Sequence, residues 1–598
     1  MNLGLAYHSL GQYREAIAEF EKARQSEAQL LAPHLFLGFD YLKLGLNEKA
    51  AAALRRALKM DPENHEALRA LAAAELAQGH YAVAANQFRD EFRGAPNKEE
   101  AWFDLGHGYL EMMQRLVVAL TSDHRASAWA HRFSADMWGE RGAWTDAARE
   151  YRVAIALDPR QIGLHTRLGV SCLAQSKTDD AEAEFQKELA LNPHDPRALL
   201  GMAEAQLLKG AAGPALATTS KILDADPVVL AELANRPEMN LSPKVAERLA
   251  NELAQTLGPP EGASQPPGRA PASPATAASS HFLRLIVYKA AGEAAEAEAA
   301  QDAFLRQFRQ WQAAQAQKPA AGASREACQQ HQTPACVKWL ESRNPRTIGD
   351  NLLLGQTLLT MDDDEQASEA FALALKQEPT SPAAIYWLLR TYQRLADGCF
   401  EQLAASFPDG WRVHQMKAEV YASSEQYLRA TEEYQLALEK QPGNAGLHAA
   451  LGAMYLKKKS LPEARAEVEK ALELDPTAAD TLCLAGQLYV AERKPADAIP
   501  YLQNALRRDP SLVEAHAALG NAYLRCGKAQ LAVEELKKSL ELDRYGDLHF
   551  LLSQAYRQLG EAALAQQALA RSQELRKDSA AADQAKLAGT RQDDDKGP

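Results

Sequence analysis

A small residue, a second small residue twelve positions on, and a proline twelve after that recur almost every thirty-four residues along this chain. Copies read Gly38, Ala50, Pro62, then Ala135, Ala147, Pro159, then Gly169, Ala181, Pro193, and far downstream Gly452, Ala464, Pro476. A fixed period of this kind dictates stacked helical hairpins, because each copy is too short to bury its apolar face alone and must lean on its neighbours. Within a copy, apolar residues follow helical spacing in two stretches split by a polar turn that often carries glycine. The dipeptides Asp61-Pro62, Asp158-Pro159, Asn192-Pro193, Asp226-Pro227, Asp475-Pro476 and Asp509-Pro510 close the second helices. Proline disfavours helical geometry in the residue before it, so the chain turns there.

The eighth position of a copy is small (Gly38, Gly169, Gly355, Gly452, Gly486, Gly520), and so is the twentieth (Ala50, Ala84, Ala181, Ala367, Ala430, Ala498). Aromatics such as Tyr41, Tyr109, Tyr421 and Tyr455 on first helices, with Phe88, Tyr151, Phe185, Phe371 and Tyr434 on second ones, fill the gaps between hairpins. In period and in these positions the sequence resembles the tetratricopeptide repeat (TPR) family. The resemblance implies an all-α helical-hairpin solenoid that binds peptides or protein partners on a concave face. It is similar to the long bacterial TPR proteins of unassigned role.

Copies of thirty-four residues start at Leu31, His65, Ala128, Ile162 and Pro196, and again at Ile348, Trp411, Ala445, Ala479 and Val513. Two short copies, 99–127 and 382–410, are followed by the same sequel. His131 and His414, Tyr151 and Tyr434, and the strings Gly163-Leu164-His165 and Gly446-Leu447-His448 match at a constant offset of 283. His281-Phe282-Leu283 likewise returns as His549-Phe550-Leu551 at the end of each set. Internal duplication therefore predicts two superhelical arrays, the first spanning 1–229 with a terminal hairpin at 281–311, the second 324–575. Between them lie an irregular helical segment at 230–257, a Pro/Ala/Ser linker at 258–280 expected to be disordered, and a joint at 312–323. The polar tail 576–598 is also expected to be disordered. At the other end, Met1 falls inside the first helix of a hairpin, which implies either a native start upstream or a frayed first hairpin.

Lys and Arg total 66 against 79 Asp and Glu, a net charge of -13, and no basic stripe offsets it. Nucleic acid is thereby disfavoured as a partner. No apolar run approaches the roughly 20 residues that span a bilayer, so the chain as given reads as soluble and cytoplasmic, or periplasmic if a signal peptide lies upstream of Met1.

Cys172, Cys399, Cys483 and Cys526 are scattered singly, as small buried hydrophobes are. Cys328 and Cys336 flank Thr333-Pro334, which reads as an N-cap and a first helical proline. A break there brings the two sulfurs together as a disulfide, which implies an oxidising compartment. On one continuous helix they would lie about 12 Å apart and remain two free thiols. No Cys-x-x-Cys pair occurs, and the recurrent histidines His131, His165, His281, His414, His448 and His549 lack the i, i+4 spacing of a metal site, so neither metal nor cofactor is indicated. The acidic run Asp362-Asp363-Asp364-Glu365 sits at a hairpin turn, favouring the helix N-terminus that follows. With no phosphate-binding glycine loop, no nucleophile elbow and no stretch long enough for a catalytic domain, the chain does not read as an enzyme.

The TPR resemblance implies a groove lined by positions two, five, nine and twelve of each copy. That places Leu35, Phe39, Leu42, Phe103, His107, Trp129 and Arg132 along one wall, and Tyr386, Arg390, Arg412, Gln415 and Glu419 along another. Exposed aromatics and arginine are the residue types of interface hot spots; the alternative is that Phe103 and Trp129 pack between copies. The function these features predict is a non-catalytic scaffold for protein or peptide ligands. Two other readings stand beside it: an extracytoplasmic assembly or secretion factor lacking its N-terminal signal or anchor, and the regulatory TPR portion of an enzyme such as a glycosyltransferase.

Overall fold

The computed structural model describes residues 1–27, 29–94, 98–225, 274–315, 324, 328, 334–543 and 545–594. Among these residues the structure is helical, without strands. Consecutive helices pack as hairpins: Leu31–Lys43 on Asn47–Met60, Ala128–Glu140 on Trp144–Leu157, Leu164–Ala174 on Thr178–Leu191, and downstream Trp411–Ser423 on Tyr427–Lys440 and Ala479–Ala491 on Pro495–Arg508. Each second helix also meets the first helix of the next hairpin. The residue before each closing proline leaves helical geometry as the sequence requires; Asp61, for example, has φ -138° and ψ 89°.

Small residues at the eighth position make room for a large side chain sixteen residues on. A Cβ built at Gly169 would sit 2.5 Å from Phe185 Cε1, and one at Gly201, on the next hairpin, 2.3 Å from Phe185 Cζ. The fully buried Phe185 ring is therefore wedged between two helices that come close only because both carry glycine there. Position fifteen, the turn inside the hairpin, has a left-handed backbone in every regular copy. Glycine supplies it at Gly45, Gly79, Gly142, Gly210 and Gly527, but Ser176, Asp362, Glu425, Lys459 and Arg493 hold positive φ of 56–63° without it. The acidic run lies at one of these turns, and Asp363 caps the following helix by accepting from the Gln366 amide.

The two short copies differ from the rest. Position fifteen is Met113 in one and Ala396 in the other, neither a turn residue. Each copy accordingly runs on as one long helix, Glu99–Val118, which continues into a π-helical turn at Ala119–Asp123, and Pro382–Ser406.

The expected connecting segments fare unevenly. Residues 230–257 and 258–273 lie outside the described residues, as do 316–323 of the joint. The last seven residues of the stretch read as a disordered linker belong to the helix Pro274–Ala291, which pairs with Ala294–Gln315. The final helix, Ala562–Asp594, runs on through the stretch read as a disordered tail. Alanine-rich sequence without a closing proline explains both extensions, because nothing in it stops a helix once begun. Met1 is the N-cap of the helix Asn2–Ser9, which has no side-chain capping bond.

The chain forms two compact units. One comprises Met1–Met112 with Gln393–Pro598, the other Met113–Tyr392. This division falls elsewhere than the boundary near 312–323 expected from the duplication. Its cause is a set of contacts between residues 250 to more than 300 positions apart, on which the candidate site turns.

Candidate functional site

In the unit Met113–Tyr392, the first helix Ala128–Glu140 presents Trp129, Arg132 and Asp136 at the groove positions, with Glu140 at its end. They meet the start of the long helix Pro382–Ser406. Trp129 and Tyr386 have ring centroids 5.1 Å apart, and Trp129 and Trp387 6.3 Å. The Arg132 guanidinium lies over all three rings, at 4.9–5.4 Å from their centroids. Beneath them is Asp136, only 3% exposed. It accepts hydrogen bonds from the hydroxyls of Tyr386 at 2.5 Å and Tyr151 at 2.6 Å, and Arg167 stands 3.0 Å away. Burial alone would raise the Asp136 pKa; the charges of Arg167 and Arg132 and the two phenol donors hold it below its ordinary value. Arg390, one turn along from Tyr386, donates to Glu140 at 2.6 Å.

In the unit formed by Met1–Met112 and Gln393–Pro598, the other long helix meets the corresponding residues. Phe103 is 4% exposed and packs with Leu403 and Val413. The Arg412 guanidinium lies 4.3 Å from the Phe103 ring centroid and 4.0 Å from that of Trp411. Glu99 accepts from the Arg412 amide at 3.1 Å and Glu100 from the Trp411 indole at 3.3 Å. His107 Nε2 is 3.3 Å from Glu419 Oε2, and Gln415 bridges Arg412 and Glu419.

The groove residues expected from the sequence are thus divided, Phe103 and His107 in one unit and Trp129 and Arg132 in the other, each pair engaged within the chain. Phe103 and Arg132 are buried and Trp129 is half-buried, which differs from the open wall expected for them. Leu35, Phe39 and Leu42 are half-buried and pack against Ala50 and Leu54 of their own hairpin and Ala67 and Leu71 of the next.

A stretch of first-helix groove that the sequence reading passed over lies open in the same unit as Phe103. It is a recess of about 620 Å³ lined from Ala479–Ala491, Val513–Arg525 and Asp547–Gln558. Ala491, Ala517 and Ala518 leave its floor clear, and Val490, Leu548 and Leu551 make it apolar. Gln487 and Asn521 place amides in it, and Tyr545 stands at the rim, 53% exposed. Neither Arg493 nor Glu514 has a side-chain hydrogen bond or ion pair among the described residues. Three helices build this recess, so only their register, not any short motif, could have pointed to it.

Among the described residues no three His, Cys, Asp or Glu side chains converge on a metal position, and no helix is long and apolar enough to cross a membrane. The recurrent histidines instead tie hairpins. His131, His165, His414 and His448 each place Nδ1 2.6–2.8 Å from the carboxylate of a glutamate nineteen residues on, at Glu150, Glu184, Glu433 and Glu467; His516 and Glu535 do the same. The Cys328 and Cys336 sulfurs are bonded, with Cα atoms 5.5 Å apart.

Helical hairpins in tandem, packed through small residues and lined on one face by polar and aromatic groups, define a repeat scaffold for protein interaction. Tetratricopeptide repeat patterns match residues 37–99, 166–228, 416–479 and 483–547, and, in a second form, 1–25 and 546–579; the chain belongs to this family. No curated protein matches it. Among solved structures it is similar to MamA (20% identity over 28% of this chain and 93% of that one, TM-score 0.24). It is also similar to YrrB, described as a TPR protein with an unusual peptide-binding site (22%, 32% and 97%, 0.24). A third is PilW, described as a widely conserved type IV pilus biogenesis factor (21%, 28% and 77%, 0.26).

Proposed function

We propose that this chain is a non-catalytic scaffold that takes an extended segment of a protein partner into the recess between Ala479–Ala491, Val513–Arg525 and Asp547–Gln558. The observation that carries this reading is that the recess is open and chemically mixed, whereas the groove positions around Phe103, Trp129 and Arg132 are engaged within the chain. Amide side chains both donate and accept, which suits the backbone of an extended segment. The apolar floor supplies the burial, and Arg493 and Glu514 select by charge. Peptides selected against the protein from a random display library provide the test. Ala518→Trp should fill the recess and weaken the selected peptides at least tenfold, with helicity unchanged. Peptides that bind both forms equally would place the binding face elsewhere.

The Cys328–Cys336 bond favours a second reading, that the scaffold works in an oxidising, extracytoplasmic compartment. Thiol counting on denatured protein prepared without reductant should find four thiols rather than six. Six free thiols would remove this reading and leave the scaffold untouched.

A further inference from the structure

We propose that the faces on which the two long helices rest form a self-association interface, closed here within one chain, and that the external partner they fit is a second copy of this chain. The contacts follow a pairing rule. Residues 103, 104, 107, 129 and 136 stand 283 positions before 386, 387, 390, 412 and 419, their equivalents in the duplicated stretch. In one unit Arg412 covers Phe103 and lies 3.7 Å from Asp104, while Glu419 faces His107. In the other, Trp129 packs on Tyr386 and Trp387, while Arg390 bonds Glu140 and feels the charge of Asp136. The contacts of residue 412 with 103 and 104 are thus answered by contacts of residue 129 with 386 and 387, and in both units a base of the long helix faces acids of the first helix. Reciprocity of this kind is the rule of an isologous interface, in which identical subunits exchange the same pair of surfaces. One matched pair would carry little. Two in register, with His107 and Arg390 of the long helices facing acids of the first helices both times, describe one surface used twice.

Every chain holds both sides of both contacts, so a second copy offers the same complement as the chain's own helix. Tethering favours closure within the chain, because linked partners meet at high effective concentration. Chains that fold together at high concentration can instead exchange the long helix, and such swapping costs little because the contacts made are identical.

The experiment is refolding of the full chain from guanidinium chloride over a hundredfold range of protein concentration, read by size-exclusion chromatography with light scattering. The dimer fraction should rise with refolding concentration and survive dilution; monomer at every concentration would overturn the proposal. Location is tested with Arg390→Glu and Glu140→Arg. Each variant alone sets like charges against each other, whether the contact is closed within or between chains. Refolded together, the two restore opposite charges only when one chain's residue 390 meets the other's residue 140. Mixed dimers should therefore exceed same-variant dimers at least tenfold, and mixed dimers at chance frequency would place the interface elsewhere. The wild-type series needs no substitution, so its monomer outcome overturns the proposal even if a variant does not refold.

Discussion

Asp136 gathers two phenols and two guanidinium groups around one buried carboxylate. Two phenols donate to it, Arg167 and Arg132 neutralise it, and one of the phenols, Tyr386, comes from 250 residues away. A buried charge with this many partners is strongly coupled to its surroundings, and removing it leaves Arg167 without its counter-ion. The sign of its pH dependence follows from the lowered pKa. A carboxylate easier to ionise in the folded than in the unfolded chain stabilises the fold above its ordinary value of 3.8. That contribution is lost as pH falls from there through the folded pKa. Asp136→Asn should thus cost about 2–3 kcal/mol at pH 7, and the gap to wild type should narrow on going to pH 3. Urea unfolding of both proteins at the two pH values measures it; a gap that holds constant with pH would show that the carboxylate charge is not what the site depends on. The residue was legible as a polar group on a first helix. Its partners were not, because no local pattern links position 136 to position 386.

The hairpins themselves were legible almost residue by residue. Glycine at position eight, alanine at twenty and proline at thirty-two each answer a local steric demand, so sequence spacing is enough to read them. The turn at position fifteen is legible where glycine or, at Asp362, an acidic run occupies it. At Glu425 the backbone adopts the same left-handed geometry, φ 57°, with an exposed side chain. The conformation costs an L-residue about 1–2 kcal/mol, and glycine returns part of that through its freer unfolded chain. Glu425→Gly should therefore stabilise the protein by about 0.5–1 kcal/mol, seen as a higher urea midpoint with unchanged slope. A lower midpoint would mean that Glu425 makes a contact that offsets the strain. The long helices Glu99–Val118 and Pro382–Ser406 show the converse. With Met113 and Ala396 at the turn position, the sequence had no signal to stop them, and they run on to become the elements that cover the groove.

At the scale of the molecule, sequence reading fails where distance along the chain is greatest. Period and duplication are statements about neighbours and copies, whereas the two compact units are set by contacts such as Arg412 to Glu99, 313 residues apart. The same contacts decide which groove positions remain open, so the open recess at Gln487–Leu551 could be found only once the helices were placed. The histidine–glutamate ties carry a different consequence. Each joins two residues nineteen apart, inside one hairpin, so this bond closes without the hairpin before or after it. The wedge of Phe185 against Gly201 is the opposite case, a debt owed to the next repeat. A stretch of coding sequence cut at the proline that closes one hairpin and pasted after another such proline thus carries its buried polar bond with it, complete. Lengthening or shortening the chain in units of thirty-four leaves each of these glutamates with its histidine, and selection is left to act on the apolar seams and the pairs, such as Arg465 with Glu492, that cross the joins.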